Sequence, residues 1–135
     1  MFPRHDGLRC LELGLPGPSA EQLVSLVLHG SKRATAGLLA EYEVEGEELE
    51  QVGEVQWLLA ADGTPARRIE ITRVEVVPFA EVTWEFAQAE GEGFLDIEDW
   101  REQHLGFWRR AAELDGTTPP VTDETPVVCL WFEVS

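Results

Sequence analysis

Positive charge is scarce in this chain: 10 Lys plus Arg stand against 26 Asp plus Glu, a formal net charge of −16 at pH 7 over 135 residues. Attraction to a polyphosphate scales with the net field, so an extended DNA- or RNA-binding surface is excluded. Any nucleic-acid contact is confined to a local basic or stacking site. Cysteine is also scarce. Cys10 and Cys129 sit near opposite ends, with no Cys-x-x-Cys or His/Cys cluster for zinc or redox chemistry. Both are expected to be buried free thiols of a reducing compartment, although terminal strands lying side by side would permit a bridge. No window approaches 18 uninterrupted apolar residues, which excludes a helical membrane span. Met1 to Asp6 lacks the basic start and apolar run of a secretory leader, so a cytoplasmic location is expected.

What the chain does have is 44% apolar residues and only 20 Gly plus Pro. That suits one domain over residues 1–135 with a single core. The acids cluster in two stretches, Glu41 to Glu54 and Glu85 to Glu102. Neither carries the spacing of a calcium loop, and no metal or other cofactor is expected.

Local pattern divides the chain into strands and helices. Leu8 to Leu13 alternates loosely and ends in the turn-rich Gly14 to Pro18, a short first strand. Ser19, with Gln22 three residues on, reads as a capping box for a helix over about 20–29 that Gly30 terminates. The small and polar residues from Gly30 to Gly37 show no period and read as a loop. Val55 to Leu59 and Arg68 to Val77 form a hairpin about Asp62-Gly63, the second arm alternating apolar and charged residues. Pro78 stops it, Val82 to Ala89 reads as a short helix, and Gly91-Glu92-Gly93 as a loop. Asp96 then caps a longer helix with Ile97, Trp100, His104, Phe107, Trp108, Ala111 and Leu114 at spacings of three and four. Val127 to Val134 is a closing strand buried on both faces. The sum is an α+β domain whose mainly antiparallel sheet curls into a small, partly open barrel. An open sheet with helices on one side would give the same periodicities.

Nine of the ten cations are arginine, and the single lysine, Lys32, lies in the glycine-flanked segment three residues before Thr35. Arginine serves wherever a surface charge suffices. A lone lysine points to a place that needs a compact amine, or one able to lose its proton. An ordinary exposed lysine near a helix C-terminus is the competing explanation.

At these residues the chain resembles the ASCH domain family (activating signal cointegrator homology). The matching segments, in order, are Gly30-Ser31-Lys32-Arg33-Ala34-Thr35, Glu41-Tyr42-Glu43, Val52-Gly53-Glu54, Val76-Val77-Pro78-Phe79 and Phe86 to Gly93. Trp100, His104 and Val127 to Phe132 complete the set. The resemblance implies a PUA-like fold, a mixed β-barrel with flanking helices around a cleft, and a modified nucleoside or short RNA as ligand. A small bacterial subgroup hydrolyses the amide of N4-acetylcytidine with a Lys-x-x-Thr pair and a distant glutamate. The resemblance carries those roles to Lys32, Thr35 and Glu90. Gly30, Ser31, Arg33, Tyr42, Trp84 and His104 are the substrate-binding residues expected around them.

The chemistry is coherent in its own right. A threonine hydroxyl is a weak nucleophile, and a neutral lysine amine can take its proton during attack on an amide carbonyl. Burial must then lower the lysine pKa, and a desolvated, protonated Glu90 can donate to the leaving nitrogen. Gly30 and Gly37 would let backbone amides approach an oxyanion. Alternatively, Thr35 and Glu90 simply hydrogen-bond Lys32 and hold the loop. Tyr42 and Trp84 offer faces for a base or belong to the core. His104 lies on the apolar face of its helix, and Arg67-Arg68 and Arg109-Arg110 are doubled basic sites that touch a phosphate or simply face water.

Overall fold

The computed structural model describes residues 1–15, 17–116 and 119–135. The elements in chain order are β1 (Arg4–His5), β2 (Leu8–Leu11), α1 (Pro18–Leu28), β3 (Ala34–Leu38), α2 (Leu39–Glu45), β4 (Val55–Leu59) and β5 (Pro65–Pro78). A 3-10 turn (Phe79–Glu81), α3 (Trp84–Ala89), α4 (Ile97–Asp115) and β6 (Pro126–Val134) follow. The strands form a six-stranded sheet ordered β1-β2-β4-β5-β6-β3. Every pairing is antiparallel except β2 with β4.

The expected α+β composition and mainly antiparallel sheet are present, but the sheet is not closed into a barrel: β1 and β3 are its two edges. Nor do the helices crowd one side. Along β6, Val127 and Cys129 enter a cluster with Phe79, Phe86, Trp100 and Trp108 of the α3–α4 side. Val128 and Leu130 instead pack with Tyr42 of α2, and Phe132 with Val24 and Val27 of α1. Period-two side chains sent to opposite faces account for a strand without polar alternation. The order also separates β2 from β6, so Cys10 and Cys129 are not neighbours in the sheet. Both are buried free thiols.

The hairpin forms where expected. Ala60 N donates to Thr64 O at 2.7 Å, Asp62 Oδ1 accepts from Thr64 N, and Gly63 takes φ +86°. Asp96 caps α4, accepting from Asp99 N at 2.8 Å. Helix α1 starts differently: its N-cap is Gly17, Pro18 opens the first turn, and Ser19 lies inside the helix with no cap bond. Proline's fixed φ and missing N–H suit that first turn. The turn expected at Gly14 to Pro18 includes Pro16, which lies outside the described residues.

One expectation fails more substantially. The segment read as loop up to Gly37 contains β3, which pairs with β6 from Ala34↔Trp131 to Leu38↔Val127. The acidic stretch after it contains α2. Strand β3 has one partner and short side chains, so its ladder comes from β6 rather than from its own pattern. Among the described residues, no helix is long and apolar enough to cross a membrane.

Candidate functional site

Lys32 is delivered to the interior by three backbone tethers. At the end of α1, Leu26 O accepts from both Ser31 N (3.0 Å) and Lys32 N (3.1 Å), and Gly30 reverses the chain at φ +85°. Arg33 N then donates to Ala89 O at 2.8 Å, and Arg33 O accepts from Phe132 N at 3.0 Å. The end of α3 is thereby fastened to the start of β3. Gly91 makes the approach possible: a Cβ there would lie 1.9 Å from the Ser31 carbonyl oxygen, and its φ is +64°.

The result is a buried cluster of charge. Lys32 is 2% exposed and Glu90 1%. Lys32 Nζ donates to Ala34 O (2.8 Å), Glu90 Oε2 (3.0 Å) and Glu92 Oε2 (2.9 Å). Three acceptors and no donor around one nitrogen describe an ammonium. Burial by itself pushes the Lys32 pKa down, but the Glu90 and Glu92 carboxylates outweigh it and hold it above the ordinary lysine value. Glu90 is the converse. Burial pushes it up, while Lys32 and the hydrogen bonds of His104 and Trp100 bring it down to about 2. The expected resting state, neutral Lys32 beside protonated Glu90, is therefore corrected: both are charged.

Glu90 is also saturated. Its Oε1 accepts from Trp100 Nε1 at 2.7 Å and faces His104 Nε2 at 3.1 Å, while Oε2 takes Lys32. Glu92 differs, with 23% of its side chain exposed. Burial and the neighbouring Glu90 charge raise its carboxyl, against the pull of Lys32. Sequence reasoning placed Glu92 in a loop within an acidic stretch and gave it no role at the site; its position two residues after Glu90, between two glycines, was the available signal.

A cavity of about 760 Å³ includes Lys32, Thr35, Glu90, Glu92, Phe94 and His104 in its wall. Thr35 is half-buried, and its hydroxyl has no hydrogen-bond partner among the described residues. None of the three Lys32 donors goes to it, so the alternative in which Thr35 fixes the lysine has no bond to support it. Strand alternation sends Ala34 and Leu38 into the α3–α4 core and turns Thr35 to the other face of β3.

The remaining candidates separate. Gly30, Ser31 and Arg33 are exposed and outside the cavity wall, and the Gly30 amide is spent on Val27 O at 3.0 Å. Gly37 does line the cavity, as part of β3. Trp84 is half-buried against the α3–α4 core, away from the cavity. Tyr42 reaches the wall but is 7% exposed, packs edge-on against Phe2 and donates its hydroxyl to Glu50 at 2.8 Å. Tyr42 therefore offers no free stacking face. Of the doubled arginines, Arg110 alone borders the cavity, while Arg68 lies over the Trp57 ring at 5.1 Å. Among the described residues no group of acids, histidines and cysteines is arranged to hold a metal ion.

Comparison with known proteins agrees with this architecture. No curated protein matches the chain. The crystal structure of protein EF3133 from Enterococcus faecalis V583 is similar, with 30% identity and a TM-score of 0.82, over 93% of this chain and 75% of that one. An ASCH domain from Lactobacillus crispatus JV V101 is similar at 31% identity and a TM-score of 0.78, over 93% and 77% of the respective chains. The hypothetical protein PH0355 shares the fold at 16% identity and a TM-score of 0.58, over 85% of this chain and 93% of that one. The ASCH domain model matches residues 12–135, a span that contains the whole Lys32 cluster and every strand but β1 and β2. The chain therefore belongs to the ASCH domain family.

Proposed function

We propose that this protein is an amidohydrolase of N4-acylated, cytidine-like nucleosides, working through Lys32, Thr35 and Glu90 with Glu92 as a fourth participant. The observation that carries this reading is the buried ammonium between two carboxylates in a cavity wall. Such a group is expensive to desolvate and is replaceable by packed apolar residues without loss of stability, so a fold has little structural reason to keep it.

The proposed steps start from the contact between Lys32 and Glu92. Lys32 passes one proton to Glu92, the more exposed of its two carboxylates, and becomes a neutral amine. Thr35 Oγ attacks the acyl carbon as Lys32 takes its proton, and a tetrahedral oxyanion forms. Glu92 returns its proton to the N4 nitrogen, the carbon–nitrogen bond breaks, and the free nucleoside leaves with the acyl group on Thr35. Water then cleaves that ester, releasing the carboxylic acid and restoring the hydroxyl. Glu90 remains a carboxylate throughout and holds Lys32 in place.

The acidic wall favours a small uncharged substrate: seven carboxylates border the cavity against Arg9, Lys32 and Arg110. A phosphate chain would meet repulsion beyond any local contact. The second reading is a non-catalytic module that binds a nucleotide or short RNA in the same cavity, and the engagement of all three Lys32 protons favours it. Incubation with a panel of acylated nucleosides, following release of carboxylic acid and free nucleoside, decides between them. Release supports the hydrolase, and binding without release supports the module. Titration of a single-stranded RNA against salt completes the test, since a slope equal to about 6 or more neutralised phosphates contradicts the small-ligand reading.

A further inference from the structure

His104 projects from α4 toward Glu90, and both of its ring nitrogens meet acceptors. Nδ1 lies 2.9 Å from the Trp100 carbonyl oxygen, which can only accept. Nε2 lies 3.1 Å from Glu90 Oε1. A neutral imidazole carries one N–H, so one of these two contacts would set lone pair against lone pair. Moving a proton onto Glu90 relieves that clash only by neutralising a carboxylate that faces the Lys32 ammonium and accepts from Trp100 Nε1. The imidazole ring also stacks on Trp100, with centroids 4.0 Å apart and planes at 22°, an arrangement that favours a cationic ring. Phe94 and Trp108 also lie against the ring, at 5.5 and 5.4 Å between centroids. The charged groups around it are thus Glu90 directly, with Lys32 and Glu92 beyond.

We infer that His104 is a positioning residue that carries a proton on both ring nitrogens and, as an imidazolium, pins Glu90 as a carboxylate. With that proton the cluster balances, Lys32 and His104 against Glu90 and Glu92. The consequence for proton traffic rests on the proposed hydrolase: with Glu90 held by three donors, Glu92 is the carboxylate left to exchange a proton with Lys32.

The test is nitrogen-resolved NMR of the full chain labelled with 15N-histidine, recorded at pH 7, with exposed His5 and His29 as references in the same sample. The expected result is protonated-type signals from both His104 nitrogens, and loss of the Nε2 proton in Glu90→Gln, where the new amide can donate to that nitrogen. Wild-type spectra showing a neutral ring protonated at Nδ1 alone overturn the inference. Retention of both ring protons in Glu90→Gln overturns the link to Glu90. If Glu90→Gln does not fold, the wild-type spectrum decides alone. The outcome is separable from the hydrolase reading, because a doubly protonated His104 in a protein that releases no carboxylic acid leaves this assignment standing and removes the other.

Discussion

Two buried polar clusters border the same cavity and have opposite logic. The first joins Lys32, Glu90, Glu92 and His104. The second runs from Arg9 through Glu54 and Gln56 to Glu50 and Tyr42, with links of 2.8 to 3.0 Å. The second ties β2, β4 and α2 together across the early half of the chain, and its cation, Arg9, also reaches the Glu48 carbonyl. Its existence has a structural explanation: it fastens α2 to β2 and β4, strands with which that helix has no ladder, and its Glu54 end is partly exposed. The first cluster is redundant as a tether, because backbone bonds from Leu26, Ala89 and Phe132 already fasten the Lys32 segment. Its ammonium is enclosed and held by two carboxylates, one saturated and one open to the cavity. Charge buried where no tether is needed is the feature on which the proposed hydrolase rests.

The contrast can be broken most severely at Gly91. An added methyl would overlap the Ser31 backbone, so Gly91→Ala should cost more than about 5 kcal/mol in denaturant unfolding. Gly93→Ala, equally left-handed but with open space around it, should cost about 1–2 kcal/mol. Comparable losses at both positions would show that the close approach between α3 and the Lys32 segment is unimportant.

Next comes the lysine. Lys32→Met leaves Glu90 and Glu92 without the ammonium they share and should destabilise the protein by about 3–5 kcal/mol near pH 7. The pH dependence follows from Glu90. Because its folded pKa, about 2, lies below the ordinary 4.5, its contribution is fully present above that ordinary value and is lost as pH falls toward 2. Glu92 acts in the opposite sense, its raised carboxyl costing stability as pH rises through the ordinary carboxylate range. Unfolding of wild type and Lys32→Met from pH 7 to pH 2 should therefore converge at the acid end, whereas a constant gap would mean that the lysine acts by packing alone.

In the second cluster, Tyr42→Phe removes one bond to Glu50 and leaves Gln56 in place. It should cost about 2 kcal/mol in unfolding and leave turnover of an acylated nucleoside nearly unchanged. A large loss of turnover with little loss of stability would move Tyr42 from scaffold to site.

How much of this was readable beforehand depended on whether the cause was local. Asp96 with Asp99, and Asp62-Gly63 with Thr64, are short-range chemistry, and the cap and the hairpin stand where the residues indicate. The two buried faces of β6 were equally visible, since a strand without polar alternation has no wet side. Strand β3 was not, because Ala34 to Gly37 carry little pattern and depend on β6, more than 90 residues away by the pairing Ala34↔Trp131. The Ser19 capping signal was overridden by Gly17-Pro18 immediately before it. At the site, the lone lysine and Glu90 were legible as types and do meet. The charge state was not, since it depends on Glu92 and His104 arriving from the following loop and from α4. Gly91, read only as a loop breaker, is the contact that brings them together.

The smallest structural change tests the central claim most directly. Thr35 is half-buried and its hydroxyl has no hydrogen-bond partner among the described residues, so Thr35→Val should alter stability by less than about 0.5 kcal/mol. Single-turnover reaction of wild type, Thr35→Ser and Thr35→Val with N4-acetylcytidine, with binding measured in parallel, reads the chemistry apart from the fold. The account predicts acetate and cytidine from wild type, slower release from Thr35→Ser, and none from Thr35→Val although it still binds the nucleoside. Release by Thr35→Val at the wild-type rate, or binding by wild type without any acetate, would contradict it.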